Sequence, residues 1–353
     1  MPSVGLIGAR IGAEHMAAYR ALPELYDVRW VCDLDTARAE RIAGSARTST
    51  EISEVLSDPA VDIVDICLPP GLHLPVILDG LAAGKHVVCE KPLVTRLADI
   101  ATVQDAEARA GCRVFPIFQY RYGPATAALA ALARADLLGT PLVASVETHW
   151  DRGPDYYVTP WRGTWAGEQG GAILTHAIHI HDFLARAFGP VASVFARLGT
   201  RANPIEVEDC AALSLQMTSG ALATSSVTLG AATDTTRVRL VWSGLTATSD
   251  TLPYAPAAGA WTFIARDPAR QSDVDATIAA IPPAPSGFAG QFSAIAAALR
   301  GDAADLVTLE DARASLEFVA AAYASHRSGL PVALPLPADH PFQQDWRPAS
   351  SSG

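Results

Sequence analysis

Lysine is almost missing from this chain. Of 26 basic residues only Lys85 and Lys91 are lysines, so arginine fills the other cationic positions and each lysine needs a reason. Positive charge as a whole is short. The 37 acidic residues leave a formal charge of −11, which repels phosphodiester backbones and anionic lipid, so neither nucleic acid nor a membrane is an expected partner. Although 50% of the 353 residues are hydrophobic, no run approaches the roughly 18 apolar residues that cross a bilayer. Cysteine is sparse: Cys32, Cys67, Cys89, Cys112 and Cys210 are odd in number and scattered, as reduced core thiols are and a disulfide framework is not. The opening Met1-Pro2-Ser3-Val4-Gly5-Leu6 enters a strand-like run with neither a basic segment nor a small-residue cleavage site. These absences predict a cytoplasmic globular protein, long enough for about two domains.

What is there falls into two halves. The first third alternates apolar strands (residues 4–7, 28–32, 61–68, 86–89 and 113–118) with helical spacing (13–21, 37–43, 74–83 and 98–110). Largely apolar strands separated by helices belong to a parallel sheet covered on both faces, so the expected fold class opens with an α/β Rossmann unit, a doubly wound parallel sheet. From about residue 142 strands follow one another (142–149, 193–196, 210–217, 221–229 and 236–242), which predicts an α+β domain with a large, mainly antiparallel open sheet. Helices are expected over 172–188, 288–299 and 309–325, irregular structure over the Pro- and Ala-rich 253–285, and a frayed end over 348–353. The boundary falls near residues 121–124, giving units of 1–122 and 123–353.

The first turn, Gly8-Ala9-Arg10-Ile11-Gly12, is one residue short of the Gly-x-Gly-x-x-Gly dinucleotide fingerprint. It still presents the Ala9, Arg10 and Ile11 amides at a helix N-terminus, where a pyrophosphate binds, and Arg10 can add a charge-assisted bond. A tight turn that binds nothing is the competing reading. Asp33 ends the second strand 21 residues after Gly12. A carboxylate there takes the ribose hydroxyls of NAD and repels the 2′-phosphate of NADP. Arg38, just beyond, is the counter-argument, since it could receive that phosphate. NAD is therefore the expected cofactor, with NADP left open.

The next stretch runs Val61-Asp62-Ile63-Val64-Asp65-Ile66-Cys67-Leu68-Pro69-Pro70-Gly71-Leu72-His73, followed by Ala83-Gly84-Lys85-His86-Val87-Val88-Cys89-Glu90-Lys91-Pro92-Leu93. Lys85 sits just past a helix end, where a cation suits the exposed carbonyls. Lys91 sits at the carboxyl end of a parallel strand, where ligands of open α/β sheets bind, and its ammonium can stabilise an oxygen that gains charge. Here the sequence resembles the glucose-fructose oxidoreductase/inositol dehydrogenase (Gfo/Idh/MocA) family, whose members carry Ala-Gly-Lys-His-Val-x-x-Glu-Lys-Pro at this place. The resemblance extends to the C-terminal Val307-Thr308-Leu309-Glu310-Asp311-Ala312-Arg313. It implies that Lys91 is catalytic and touches the nicotinamide ribose. Leu68, Pro69, His73 and Glu90 join Gly8–Gly12, Asp33 and Arg38 as cofactor-binding candidates.

Three histidines crowd Gly170-Gly171-Ala172-Ile173-Leu174-Thr175-His176-Ala177-Ile178-His179-Ile180-His181-Asp182. On one continuous helix His176 and His179 share a face while His181 points nearly opposite, so no face gathers all three and no metal site is expected. The family pattern here is Gly-Gly-x-x-x-Asp-x-Gly-x-His-x-x-Asp. The resemblance places His179 as the histidine that exchanges the substrate's proton, with Thr175 where many relatives have a catalytic aspartate. Ala177 replaces the glycine, and His176 is a candidate to compensate at the substrate.

Residues 149–165 hold Trp150, Trp161, Trp165, Tyr156 and Tyr157 in a chain only 7% aromatic. Aromatic faces stack on the CH face of a pyranose or cyclitol while Arg and Asp bond its hydroxyls. Arg152, Tyr157 and Trp165 are thus substrate candidates, and Arg152 and Arg162 would also suit a carboxylate. By the resemblance Trp161, Arg162 and Arg121 are cofactor candidates. The expectation is an NAD(P)-dependent oxidoreductase acting on a carbohydrate or polyol hydroxyl, working as a homodimer or homotetramer through the 123–353 domain. Two rivals stay open: a relative that retains its NAD through an elimination or glycoside cleavage, and a non-catalytic nucleotide or sugar sensor.

Overall fold

The computed structural model describes residues 1–348, so of the expected frayed end 349–353 lie outside the described residues. No described helix is long and apolar enough to cross a membrane. The chain forms two compact units, each built from two segments: Met1–Phe118 with Phe288–Arg313, and Gln119–Gly287 with the chain from Ala314 on. Residues 288–313, expected in the second domain, thus fold with the first.

The first unit is a parallel sheet of six strands, β1 (Ser3–Ile7), β2 (Asp27–Cys32), β3 (Arg47–Ser49), β4 (Ile63–Ile66), β5 (His86–Cys89) and β6 (Val114–Pro116), in the order β3-β2-β1-β4-β5-β6. That is the doubly wound order, and it reverses between β1 and β4, the place where such sheets bind ligands at their carboxyl ends. β1 is buried at every residue, as a strand covered on both faces must be. Helix Gly287–Leu299 closes the core from far along the chain: Phe292 stacks on Tyr19 at 4.3 Å and takes the Tyr26 hydroxyl on its carbonyl. Strand β3 and helix Ile52–Ser57 carry no sequence signal, since three largely exposed residues and six of mixed character show no periodicity.

The second unit is a mixed sheet of eight strands, β7 (Pro141–Asp151), β8 (Val191–Gly199), β9 (Cys210–Met217), β10 (Leu222–Thr228), β11 (Gly230–Trp242), β12 (Leu245–Ser249), β13 (Trp261–Ala265) and β14 (Val332–Ala333). Their order is β13-β12-β11-β7-β10-β9-β8-β14, and only the β7–β10 pair is parallel. β9 alternates buried and exposed residues, the period-two pattern of a sheet with one face in the core. The stretch 253–285 is more regular than its Pro and Ala content suggests, for it holds β13 and helix Gln271–Ala279. The helix expected over 172–188 is two helices, Ala172–Thr175 and Ile178–Phe188, broken where His176 takes φ −123°. The break undoes the premise of one continuous helical face for His176, His179 and His181.

Candidate active site

In the first unit the turn after β1 depends on glycine. Gly8 has φ +97°, and a Cβ on it would collide with the Cys67 carbonyl at the end of β4. Helix Gly12–Arg20 follows with no side-chain cap; its Ala13 and Glu14 amides turn back onto the Arg10 and Ile11 carbonyls, and its positive N-terminal end lies at the turn. Asp33 ties the turn to β2: one carboxylate oxygen accepts the Ala9 amide at 2.7 Å and the other the Asp35 amide at 2.9 Å. Arg38 is drawn back onto Asp33 (3.1 Å) and Asp35 (2.8 Å). A glycine cradle, an uncapped helix start and a strand-end carboxylate fit a dinucleotide, and a guanidinium already shared by two carboxylates fits NAD better than NADP.

At the carboxyl end of β5 the side chains are locked. Glu90 is buried; one carboxylate oxygen meets His15 Nε2 at 3.1 Å and the other accepts the Lys91 amide at 2.9 Å. His15, wholly buried, turns its Nδ1 to Asp65 at 2.8 Å, and Tyr19 donates to the same Asp65 oxygen. Burial alone would strip His15 of its proton, but the Asp65 carboxylate, helped by Cys67, outweighs it and its pKa is raised well above the ordinary value. Among the described residues the one grouping dense enough for a metal ion is His15, Asp65 and Cys67. Burial pushes the Cys67 thiol far up, so the cluster is a hydrogen-bonded core and not a thiolate ligand set. The three histidines of 176–181 form no such grouping among the described residues.

The two lysines divide as their surroundings dictate. Lys85 gives its ammonium to the carbonyls of Asp58 (2.8 Å) and Val61 (2.7 Å), a structural role. Lys91 is the lysine at the sheet's carboxyl edge. His73 lies between the loop after β4 and the loop after β5, each ring nitrogen 2.8 Å from a carbonyl, of Leu68 and of Pro92. Burial lowers its pKa.

In the second unit Arg121 is likewise committed. Its guanidinium makes two bonds to Asp182, 2.7 and 2.6 Å, with both side chains buried, which ties Arg121 to helix Ile178–Phe188. His179 on that helix is buried and stacked on Tyr120 at 4.8 Å. His181 bonds Ser225 at 2.8 Å and packs on Phe318; burial drops its pKa to about 3.

The aromatic segment forms a cluster. Arg152 lies over the rings of Trp150 (5.0 Å), Tyr156 (5.4 Å) and Tyr254 (5.5 Å) and pairs with Asp234 at 3.1 Å. Arg162 lies over Tyr156 at 3.7 Å and Trp161 at 5.4 Å, and its buried Nε has no acceptor among the described residues. Asp151–Tyr156 line an open pocket at this cluster. His176 joins it, edge-on to Trp150 at 5.4 Å. Tyr157 packs on Tyr156, while Trp165 belongs to another group, against Tyr323.

Glu208 had no sequence signal. It is buried and accepts the amides of Gly171 and Ile173 (3.1 Å each) and the Tyr323 hydroxyl (2.8 Å), anchoring the turn that carries Thr175 and His176. Burial raises its pKa from 4.5 to about 7. The folded state therefore holds more protons than the unfolded chain in that window. Stability is expected to fall, by about 3 kcal/mol in all, as pH rises from 4.5 through about 7. In Glu208→Gln that slope should vanish, and urea melts of the two proteins across the window check it; parallel curves would refute the assignment.

Comparison with known proteins places these units. Residues 3–118 match the family described as oxidoreductase family, NAD-binding Rossmann fold, and residues 126–247 match its GFO/IDH/MocA C-terminal domain. An inositol 2-dehydrogenase of Paenarthrobacter aurescens is 30% identical over 239 residues, covering 65% of this chain and 69% of that protein. An oxidoreductase of Synechocystis is 28% identical over 61% of this chain and 62% of its own length, so the match spans about three-fifths of that relative. The WlbA dehydrogenase of Chromobacterium violaceum, solved with NADH and UDP-GlcNAcA, superposes with TM-score 0.82 at 27% identity over 95% of this chain and 96% of its own. The chain belongs to the Gfo/Idh/MocA oxidoreductase family. Its first unit is the NAD-binding domain of that family.

Proposed function

We propose that the protein is an NAD-dependent dehydrogenase that interconverts a secondary hydroxyl and a ketone on a sugar, cyclitol or sugar derivative. The observation that carries this reading is the buried Asp65–His15–Glu90 chain, which ends on the Lys91 amide at the carboxyl edge of the sheet, in a protein whose other lysine is consumed by carbonyls. Gly8, the helix start at Gly12 and Asp33 hold the dinucleotide, which when bound supplies the acceptor for the substrate's hydride. Lys91 hydrogen-bonds the substrate oxygen and offsets its charge as the hydroxyl proton leaves. His179 takes that proton, an imidazole being matched to proton exchange near neutral pH. The Trp150–Tyr156–Arg152 cluster covers the sugar's apolar face and bonds its hydroxyls.

The same reading carries a homodimer or homotetramer. A row of paired positions on one face of the second sheet, Leu222–Val143–Val241 and on to Thr246–Ile264, includes the exposed Leu222, Val143 and Ile264, a surface suited to a second copy. Sedimentation of the full chain checks this.

Reduced-nicotinamide absorbance with a panel of inositols, hexoses and sugar acids, each with NAD and NADP, tests the activity. UDP-GlcNAcA belongs in the panel because the WlbA relative binds it. Turnover of at least one sugar or polyol with NAD is expected. A chain that binds NAD but reduces it with none would favour the sensor reading.

A further inference from the structure

The turn at 171–176 holds a hydroxyl whose proton can be assigned. Thr175 Oγ1 lies 2.8 Å from the Gly171 carbonyl and 2.7 Å from His176 Nδ1. A hydroxyl has one proton and a carbonyl oxygen only accepts. The Thr175 proton therefore goes to Gly171, and His176 Nδ1 must carry the hydrogen that points at Thr175. In the neutral ring this makes Nε2 the basic atom, the reverse of the tautomer that free imidazole prefers.

The assignment is held from behind. Glu208 grips the Gly171 amide, and a side chain at position 171 would run into Glu208, so the carbonyl that takes the Thr175 proton has little freedom. His176 is buried, edge-on to Trp150 and 5.6 Å from Tyr156, within the cluster that carries Arg152 and Arg162. A threonine hydroxyl alone accepts weakly; an imidazole lone pair accepts well.

We propose that Thr175 and His176 act as a pair at the substrate: His176 Nε2 accepts a hydrogen bond from a hydroxyl of the bound sugar or polyol, and Thr175 is the positioning residue that sets its tautomer. The proposal rests on the dehydrogenase reading above, in which the substrate carries that hydroxyl. It accounts for the absence of a carboxylate at 175, because the acceptor has moved one residue along the chain.

The test uses the full chain with bound NAD and ¹⁵N-labelled histidine, with His176→Asn to assign the ring signals. Long-range ¹H–¹⁵N spectra above neutral pH should show His176 protonated on Nδ1. Thr175→Val should shift it toward Nε2–H, and Thr175→Ser should restore it. Adding UDP-GlcNAcA, myo-inositol or levoglucosan, whichever binds, should move the Nε2 signal. With the sugar that is turned over, Thr175→Val should lower kcat/KM about tenfold, chiefly through KM, and shift its acid limb to lower pH. A wild-type ring protonated on Nε2, or an Nε2 signal indifferent to a bound sugar, overturns the proposal. Failure of the dehydrogenase reading appears separately, as a bound sugar that moves Nε2 without forming NADH.

Discussion

Lys91→Ala is expected to lower kcat by about 10²–10³-fold, the usual cost of removing one donor from a developing oxyanion, while NAD affinity falls less than about tenfold because a helix start and the Asp33 carboxylate carry most of the binding. Two features of the fold make the effect large. Lys91 follows a carboxylate whose oxygens are both engaged, one by His15 and one by the Lys91 amide, so the backbone from which its ammonium extends is fixed. The chain also has no neighbouring lysine to substitute, since Lys85 is bound to the Asp58 and Val61 carbonyls. Lys91→Arg should not rescue turnover, because a planar fork cannot take the place of a compact ammonium. Steady-state kinetics beside equilibrium NAD titration check both halves, and a Lys91→Ala enzyme within about threefold of wild-type kcat would be incompatible with the role.

Asp33→Asn is expected to weaken NAD by about tenfold and to improve NADP, moving the preference between them by about 10²-fold. In the proposed role the carboxylate accepts charge-assisted bonds from the ribose hydroxyls, and its removal would also end the repulsion of a 2′-phosphate. Arg38 amplifies the change, since losing one of its two carboxylate partners frees its guanidinium for that phosphate. Asparagine keeps an oxygen for the Ala9 amide, so the turn should survive. Paired titrations with NAD and NADP measure the shift; an unchanged ratio would mean that the ribose is read elsewhere.

The first unit was legible because its strands are apolar throughout and its turns carry glycine at positions that need it, as at Gly8. The lock around Glu90 was only partly so. Asp65 is a charge inside the otherwise apolar β4, and that anomaly could have flagged a buried partner, but no spacing rule joins it to His15 or to Glu90. The second site was harder. Lys91 and the aromatic run stand out by rarity and density. Glu208 is ordinary in sequence, and its role depends on a turn 37 residues earlier that only folding brings to it. His73 and Arg121 stand out in the sequence as polar groups near strand ends, but no spacing rule announces the contacts they make with carbonyls and with Asp182. The break at His176 carries little signal in the sequence, because Leu174 and Ala177 beside it favour helix and no glycine or proline announces it.

The central claim is that hydride leaves a carbinol carbon for NAD in a site where Lys91 holds the oxygen. A substrate from the panel carrying deuterium on that carbon tests it most directly. The account predicts deuterium at C4 of the reduced nicotinamide, with a primary isotope effect on the single-turnover rate that persists, at a far lower rate, in Lys91→Ala. Nicotinamide reduced without the label, or product formed while the cofactor never acquires it, would contradict the account.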